Sequence, residues 1–295
     1  MAGKSNGLDE SDWARRPPSG TVCQRILKAV YNPEEKSFFG RTAKRWGIVL
    51  MFYAVFYAAL ALLFAICMGG LFYTIDRSKP TCILDKSLIG NNPGVAYRPL
   101  PLEDMTVKYK VDNSSEYEPY VAQIDEFLKS YTSKNLYTSA TECNAADNYG
   151  YPLTPCFFIK LNKIYEWQPE YYDANALPSD MPQDLIDNIT GLDPTEQKQV
   201  WVSCFVEKDN TTVIGYPWGR GLPSKFYPYR NQEGYKSPLI AIKVNAPVNT
   251  STNVRCRAWA RNIIYNQSIK EASGYTRIQL YIEDGTAIDA SAVTQ

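Results

Sequence analysis

One long apolar segment separates two polar parts of the chain. No charged residue occurs within residues 46–75, a run of 30 residues, whereas charged residues are frequent on both sides. As a helix, residues 46–73 would measure about 42 Å, against about 30 Å for the hydrocarbon core of a bilayer. A cleaved signal peptide is the alternative, but 45 residues precede the run, and it is about two to three times longer than a signal h-region. The pattern predicts an uncleaved signal-anchor helix over residues 46–75.

After residue 99 the apolar residues mostly alternate with polar ones, which predicts β-strands. One segment instead has helical spacing, because Ile124, Phe127, Leu128 and Tyr131 fall on one side of a helix. We therefore expect an antiparallel sandwich with one inserted helix. The apolar stripes of the predicted strands lie at 107–111, 200–206, 240–244, 254–260 and 278–282.

Three features predict that the N-terminus is cytosolic and the C-terminus extracellular. Within twenty residues of the span, five Lys or Arg lie on the N-terminal side and three on the other. Five of the seven cysteines follow the span, on the side where oxidation would then be possible. All five N-x-[ST] sequons also follow it and are candidate glycosylation sites. Their asparagines are Asn113, Asn188, Asn210, Asn249 and Asn266.

This orientation divides the chain into four predicted segments. Residues 1–45 form a cytosolic tail, whose Gly- and Pro-containing start is expected to be disordered, and residues 46–75 form the transmembrane helix. Residues 76–98, rich in turn formers, form a stalk. Residues 99–295 form a glycosylated, disulfide-bonded extracellular domain, which is long enough to bury its own core.

Composition limits the activities that the chain can have. Its 31 Lys+Arg balance 31 Asp+Glu, so a polybasic nucleic-acid-binding surface is not expected. It contains no histidine, which excludes Ser-His-Asp and Cys-His nucleophile systems and histidine-ligated zinc. The cysteines show no paired C-x-x-C spacing, and neither a P-loop nor a G-x-G-x-x-G motif occurs. We therefore expect a noncatalytic protein with no cofactor and no metal site.

Two pairs among the cysteines after the span suit disulfides. Cys204 and Cys256 lie on two predicted strands with the parity that a sheet-spanning disulfide needs, and they close a loop of about 53 residues. Cys143 and Cys156 close a shorter loop of about 14 residues. Buried free thiols are the alternative for all four residues. Cys82, next to the membrane, is left over.

Four strings resemble blocks that occur in the same order in the Na+,K+-ATPase beta subunits. Y-N-P-E-E-K-S-F-F-G-R-T before the span is similar to the family's W-N-x-E-x-x-x-F-x-G-R-T, and F-Y-A-V-F-Y at 52–57 to its F-Y-x-x-F-Y. Y-G-Y-P-L-T-P-C-F-F-I-K-L-N-K at 149–163 resembles Y-G-Y-x-x-G-x-P-C-x-x-I-K-L-N-R, and F-Y-P-Y at 226–229 resembles Y-Y-P-Y-Y-G-K. The match extends from Tyr31 to Ile282, and the chain resembles an invertebrate-type member of this family.

The resemblance implies a noncatalytic, glycosylated beta subunit of a sodium/potassium-transporting P-type ATPase in the plasma membrane. It implies an immunoglobulin-like extracellular domain that carries a helix. The implied role is assembly, folding and plasma-membrane delivery of the catalytic alpha subunit, with modulation of cation affinity. The implied partners are that alpha subunit, the lipid bilayer and a small regulatory single-span subunit. The family's first extracellular disulfide has no counterpart in this sequence.

Two other functions share parts of this pattern. A beta subunit of a proton/potassium pump has the same motifs, and a cell-surface adhesion glycoprotein would share the anchor, the sandwich and the glycans. Fold analogy alone does not separate them. The span separates a pump subunit from an adhesion protein, because an adhesion protein needs only an apolar anchor.

In the span, Tyr53, Phe56 and Tyr57 fall on one helical face, together with Leu60 and Phe64. Lipid-facing aromatics are one interpretation of this stripe. However, a phenol hydroxyl near mid-membrane needs a protein partner. We therefore expect the stripe to contact a helix of the alpha subunit, and the resemblance points to its seventh helix. Small residues that permit close helix packing lie on an adjoining face, at Ala54, Ala58, Ala61 and Ala65.

Outside the span, three aromatic residues flank a proline in the segment Phe226, Tyr227, Pro228 and Tyr229. Such a segment offers a large, rigid contact area at little entropic cost. We expect it to form part of the extracellular docking surface for the alpha subunit. The alternative is that these rings cap the core of the sandwich.

Overall fold

The fold is taken from a computed structural model of the chain. The chain divides into two compact units, with the boundary between Asp76 and Arg77. The predicted disordered start of the tail lies outside the described residues. The structure describes residues 21–33, 36–88, 90–132, 142–208, 211–268 and 273–285.

In the part of the first unit that the structure describes, a small antiparallel sheet joins two helices. In this sheet Tyr31 pairs with Phe38, and Phe38 pairs with Arg41. The indole N–H of Trp46 donates to the carbonyl oxygen of Phe38 at 2.8 Å, which fastens the sheet to the second helix. In chain order the elements are α1 (Val22–Val30), β1 (Tyr31–Asn32), β2 (Ser37–Phe38), β3 (Arg41–Thr42) and α2 (Ala43–Thr74).

Helix α2 begins three residues before the apolar run and contains all of it except Ile75. It has 32 residues, and the N–H of Ile75 closes its end by donating to the carbonyl oxygen of Leu71 at 3.2 Å. Among the described residues it is the one helix long and apolar enough to cross a membrane. None of its residues is buried by other described residues. Its apolar surface therefore has to be covered by lipid or by another protein.

The described residues of the second unit form two β-sheets and two α-helices. Helix α3 (Ser114–Thr132) is the predicted inserted helix, and the sequence pattern did not predict helix α4 (Gln183–Thr190). The strands are, in chain order, β4 (Val95–Arg98), β5 (Thr106–Lys110), β6 (Cys156–Leu161), β7 (Gln199–Glu207), β8 (Val213–Gly215), β9 (Gly221–Pro223), β10 (Ile240–Asn245), β11 (Ser251–Trp259) and β12 (Tyr275–Glu283).

The described strands are ordered β4-β6-β10-β8 in one sheet and β5-β12-β11-β7-β9 in the other. Neighbouring strands run antiparallel, except that β5 runs parallel to β12. This arrangement confirms the mainly-β, antiparallel class predicted from the alternation of apolar residues. Strand β4 corrects the predicted stalk, because residues 95–98 pair with β6 and so belong to the folded unit.

The two sheets share one hydrophobic core. Four of the predicted stripes lie on the five-stranded sheet and supply fully buried residues. The fifth stripe, on β10 of the other sheet, adds Ile240 and Ile242, and Phe157 of β6 belongs to the same cluster. Helix α3 adds Ile124, which is also fully buried. The stripe residues in this core include Val107, Val200, Val202, Val254, Ile278, Leu280 and Ile282.

Helix α4 covers part of the outer face of the five-stranded sheet. Leu185 and Ile189 of the helix pack with Trp201 and Trp259 in a second buried cluster. The indole N–H of Trp259 donates to the buried hydroxyl of Ser203 at 2.8 Å, which satisfies both polar groups. This end of the sheet is therefore buried on both faces.

Candidate partner-binding surfaces

The aromatic residues of the span form a ridge on α2, which we define as Tyr53, Phe56 and Tyr57. The rings of Tyr53 and Tyr57 stack with centroids 6.0 Å apart, and the ring of Phe56 meets that of Tyr57 edge-on at 5.5 Å. All three side chains are exposed. Neither tyrosine hydroxyl has a hydrogen-bond partner among the described residues. The aromatic ridge thus presents two phenol donors, without a partner in the described part of the chain, in the middle of an apolar helix.

The segment 226–229 does not project as a free loop. It follows a short 3-10 turn at Ser224–Phe226, and its side chains are half-buried. The ring of Tyr227 packs edge-on against buried Trp167 with centroids 5.6 Å apart. Tyr227 therefore belongs to the margin of the sandwich core, as in the alternative interpretation of this segment.

Tyr229 instead joins a group of side chains near the surface, which we call the tyrosine–lysine cluster: Lys163, Tyr165, Tyr229 and Tyr235. The ring centroids of Tyr229 and Tyr235 are 4.8 Å apart, and those of Tyr229 and Tyr165 are 6.3 Å apart. The ammonium group of Lys163 lies 5.1 Å from the Tyr229 centroid and 5.2 Å from that of Tyr235. Partial burial raises the pKa of Tyr235. At these distances the rings can attract the ammonium group.

Backbone contacts hold this cluster together. Tyr165 and Tyr229 form a parallel β-bridge, and the N–H of Glu166 donates to the carbonyl oxygen of Tyr229 at 2.8 Å. The guanidinium of Arg230 lies 3.0 Å from the Glu166 carboxylate. The tyrosine–lysine cluster thus combines two segments far apart in sequence. Of its members, the sequence singled out Tyr229 alone, although Lys163 ends the third family-like string.

Both predicted disulfides are present, with one correction. Cys143 and Cys156 are bonded, and we call this the short-loop disulfide; Cys204 and Cys256 form the long-loop disulfide. The long-loop disulfide does not span the two sheets, because Cys204 and Cys256 oppose each other on β7 and β11, which are neighbours in one sheet. The alternation of apolar residues correctly predicted that both cysteines lie on the core side of their strands. It could not predict that β7 and β11 are neighbours in one sheet. Cys82 is free and exposed.

Four of the five predicted glycan acceptors lie among the described residues. Asn113, Asn188 and Asn249 are exposed, and Asn266 is half-buried. The side-chain amide of Asn113 donates to Glu116 at 2.9 Å, at the start of α3. Asn210 lies outside the described residues. The exposed acceptors are accessible to a modifying enzyme.

The described part of the chain contains no group of three or more Cys, Asp or Glu side chains placed to hold a metal ion. Its distinctive surfaces are instead aromatic: the aromatic ridge on α2 and the tyrosine–lysine cluster on the sandwich. An apolar helix with the length of a span, followed by a disulfide-bonded β-sandwich, defines a class of single-span membrane proteins with one folded domain.

Comparison with known proteins narrows this class. The family model described as the sodium/potassium ATPase beta chain matches residues 16–149 and 137–278. The chain is 38% identical to sodium/potassium-transporting ATPase subunit beta-1 of Drosophila melanogaster, over 90% of this chain and 95% of the relative. It is 37% identical to subunit beta-2 of the same fly, over 91% and 95%. Identity to human subunit beta-2 is 24%, over 89% and 96%.

The chain therefore belongs to the sodium/potassium ATPase beta chain family. The higher identity to the fly relatives than to the human one supports the prediction of an invertebrate-type member.

Proposed function

We propose that the chain is the noncatalytic beta subunit of a sodium/potassium-transporting P-type ATPase. In this proposal it supports assembly, folding and plasma-membrane delivery of the catalytic alpha subunit and modulates the cation affinity of the pump. A small regulatory single-span subunit is a further proposed partner. Family membership supports the pairing, and the names of the fly relatives favour a sodium pump.

The aromatic ridge is the observation that carries the proposed contact within the membrane. Hydrocarbon offers no acceptor for a phenol hydroxyl, so leaving two of them unbonded would cost free energy. A neighbouring helix can supply backbone or side-chain acceptors. Each such intramembrane hydrogen bond contributes about 0.6–2 kcal/mol. The flat stacked faces of Tyr53 and Tyr57 also add a large packing area at low entropic cost.

The tyrosine–lysine cluster is the proposed second contact with the alpha subunit, outside the membrane. Rigid aromatic rings beside a cation are typical of binding hot spots. Tyr229 belongs to this proposed surface together with its cluster neighbours. Phe226 and Pro228 flank it, whereas Tyr227 is assigned here to supporting the segment from the core side.

The proposed topology places the N-terminus in the cytosol and the folded domain outside the cell. Residues 1–45 are then the cytosolic tail, 46–75 the span and 76–94 the connecting segment, with the glycosylated domain from residue 95 onward. The charge bias across the span and the one-sided sequons support this orientation.

Co-purification tests the proposal. The full chain, expressed with its native catalytic partner and solubilised in mild detergent, should retain a P-type ATPase chain in stoichiometric amount. The Tyr53→Leu, Tyr57→Leu double variant removes both hydroxyls and both ring faces, so it should reduce the recovered partner or shift the cation affinity of the pump. Single Tyr→Phe variants should weaken the complex less.

A matched control uses Val55→Ala with Leu62→Ala, which changes side chains on the opposite side of α2 by helical spacing. This control should leave recovery and transport kinetics unchanged. If the double tyrosine variant behaves like the control, the aromatic ridge is a lipid-facing anchor and the intramembrane part of the proposal is wrong.

A further inference from the structure

The chain just before the span has an uncovered apolar face. In α1, Val22, Ile26 and Leu27 are exposed to 73%, 59% and 75%. Helical spacing places residues 22, 26 and 30 along one side of α1. A helix of this kind is stable in water only if another surface covers its apolar side.

The small sheet after α1 extends this apolar face. Tyr31, Phe38 and Phe39 are all exposed, and the N–H of Phe39 donates to the carbonyl oxygen of Val30 at 2.9 Å. This bond ties the end of α1 to the turn between β2 and β3. We call residues 22–33 and 36–42 the arm. Its exposed apolar side chains come from both the helix and the sheet.

The arm is held beside the end of the span. Strand β3 runs directly into α2, and the Trp46 indole in the first turns of α2 donates to Phe38 in the arm. Trp at this position is typical of the bilayer interface. A segment fastened to the interfacial end of a membrane helix lies at the level of the lipid headgroups. The bilayer is therefore the surface nearest to the apolar face of the arm.

The charge of the arm also fits a bilayer surface. Residues 22–42 contain four Lys or Arg and two Glu, and Lys44 and Arg45 follow in the first turn of α2. Basic residues beside an apolar helical face favour adsorption to membranes that contain anionic lipids. The acidic residues before residue 13 lie outside this segment.

We propose that the arm binds the surface of an anionic bilayer, with α1 lying in the interface and its apolar side turned toward the acyl chains. The apolar face, its continuity with the span and the net positive charge together point to lipid as the occupant. This inference does not depend on the pump assignment, because it concerns the chain and its bilayer alone. The leaflet would be the cytosolic one under the proposed topology.

Electron paramagnetic resonance on the full chain in nanodiscs tests the proposal. Cys67→Ala and Cys82→Ser leave Cys23 of α1 as the free thiol for a spin label, since the other four cysteines are paired. Accessibility to oxygen, which concentrates in lipid, is compared with accessibility to an aqueous nickel chelate. Nanodiscs contain either phosphatidylcholine alone or phosphatidylcholine with phosphatidylserine. Both faces of a nanodisc are open, so the result does not require a known orientation.

In nanodiscs with phosphatidylserine, the label should favour oxygen and lie about 5–10 Å below the headgroup surface. Pure phosphatidylcholine or high salt should lower this preference, because screening removes the charge contribution. Ile26→Ser with Leu27→Ser should reduce the membrane-bound population about tenfold or more. The same change at two exposed leucines of the other unit, Leu88→Ser and Leu153→Ser, should have no effect.

Two results would overturn the proposal. In one, the label remains fully accessible to the nickel chelate in nanodiscs with phosphatidylserine. In the other, the label becomes protected only when the catalytic subunit is present in the same nanodisc, so that a protein surface covers the arm. Since neither result depends on whether the chain co-purifies with a pump, failure here is distinguishable from failure of the proposed function.

Discussion

Tyr227 and Tyr229 should have different roles, although both lie in the segment 226–229. Replacing each of them by alanine in turn should distinguish a residue that supports the core from one that docks the partner. The ring of Tyr227 packs against buried Trp167, whereas the ring of Tyr229 lies among Lys163 and the other tyrosines of the tyrosine–lysine cluster. We predict that Tyr227→Ala lowers the stability of the folded unit. Tyr229→Ala should mainly weaken assembly with the catalytic subunit.

The expected magnitude follows from burial. A fully buried tyrosine removes about 150–250 Å² from water, so a half-buried ring accounts for about 100 Å² and about 2.5 kcal/mol. The aromatic pair with Trp167 adds about 0.5–1.5 kcal/mol. Tyr227→Ala should therefore cost about 3 kcal/mol, which lowers the melting temperature of a unit of about 200 residues by about 6–12 °C. Tyr229→Ala should cost about 1–2 kcal/mol, because its neighbours are partly exposed and can close around the gap.

Thermal melts of the purified full chain, followed by near-ultraviolet circular dichroism, measure the first effect. Co-purification of the catalytic subunit from cells measures the second. Tyr227→Phe and Tyr229→Phe are the controls, since they keep the rings and remove the hydroxyls. A Tyr227→Ala variant with an unchanged melt and lost assembly would refute the core assignment. A Tyr229→Ala variant with normal assembly would remove the cluster from the docking surface.

Four further predictions concern stability, disulfide pairing and modification. Loss of the long-loop disulfide should cost about 4 kcal/mol and loss of the short-loop disulfide about 3 kcal/mol by the chain-entropy estimate, which chemical denaturation of the paired Cys→Ser variants can measure. Peptide mapping without reduction that links Cys82 to any of the four bonded cysteines would contradict the assigned pairing. Leu185→Ala, at a fully buried position of α4, should cost about 2–5 kcal/mol, whereas the exposed Asn188→Ala should change stability by less than about 0.5 kcal/mol in the same assay. Amidase treatment of the protein from a secretory host should raise its gel mobility, and absence of any shift would contradict the proposed orientation.

Periodicity predicted the strands in which apolar residues recur at every second position of the sequence. The stripe at 278–282 alternates because one side of β12 faces the core, and this pattern is visible in sequence. Strand β6 was not predicted, because Cys156 through Ile159 are all buried and no alternation remains. Helix α3 begins at Ser114, ten residues before Ile124, the first residue of the predicted helical stripe.

The contacts that join distant parts of the chain could not be predicted. Helix α4 has only eight residues. Its apolar positions can be recognised as buried only when it is known that the helix covers Trp201 and Trp259. The tyrosine–lysine cluster likewise combines Lys163 with Tyr235, more than seventy residues later. The family-like strings placed Tyr229 at a candidate surface, but a short string carries no information on which side of its backbone faces the core.

Photo-crosslinking from the aromatic ridge tests most directly whether this chain serves as a pump subunit. A benzophenone amino acid at position 57 of the full chain, irradiated in native membranes, should form a covalent adduct with a membrane helix of a P-type ATPase catalytic chain. The same group at Leu62, on the opposite side of α2, should form little of that adduct. Equal yields from the two positions, or adducts with lipid alone at position 57, would contradict the proposed interface.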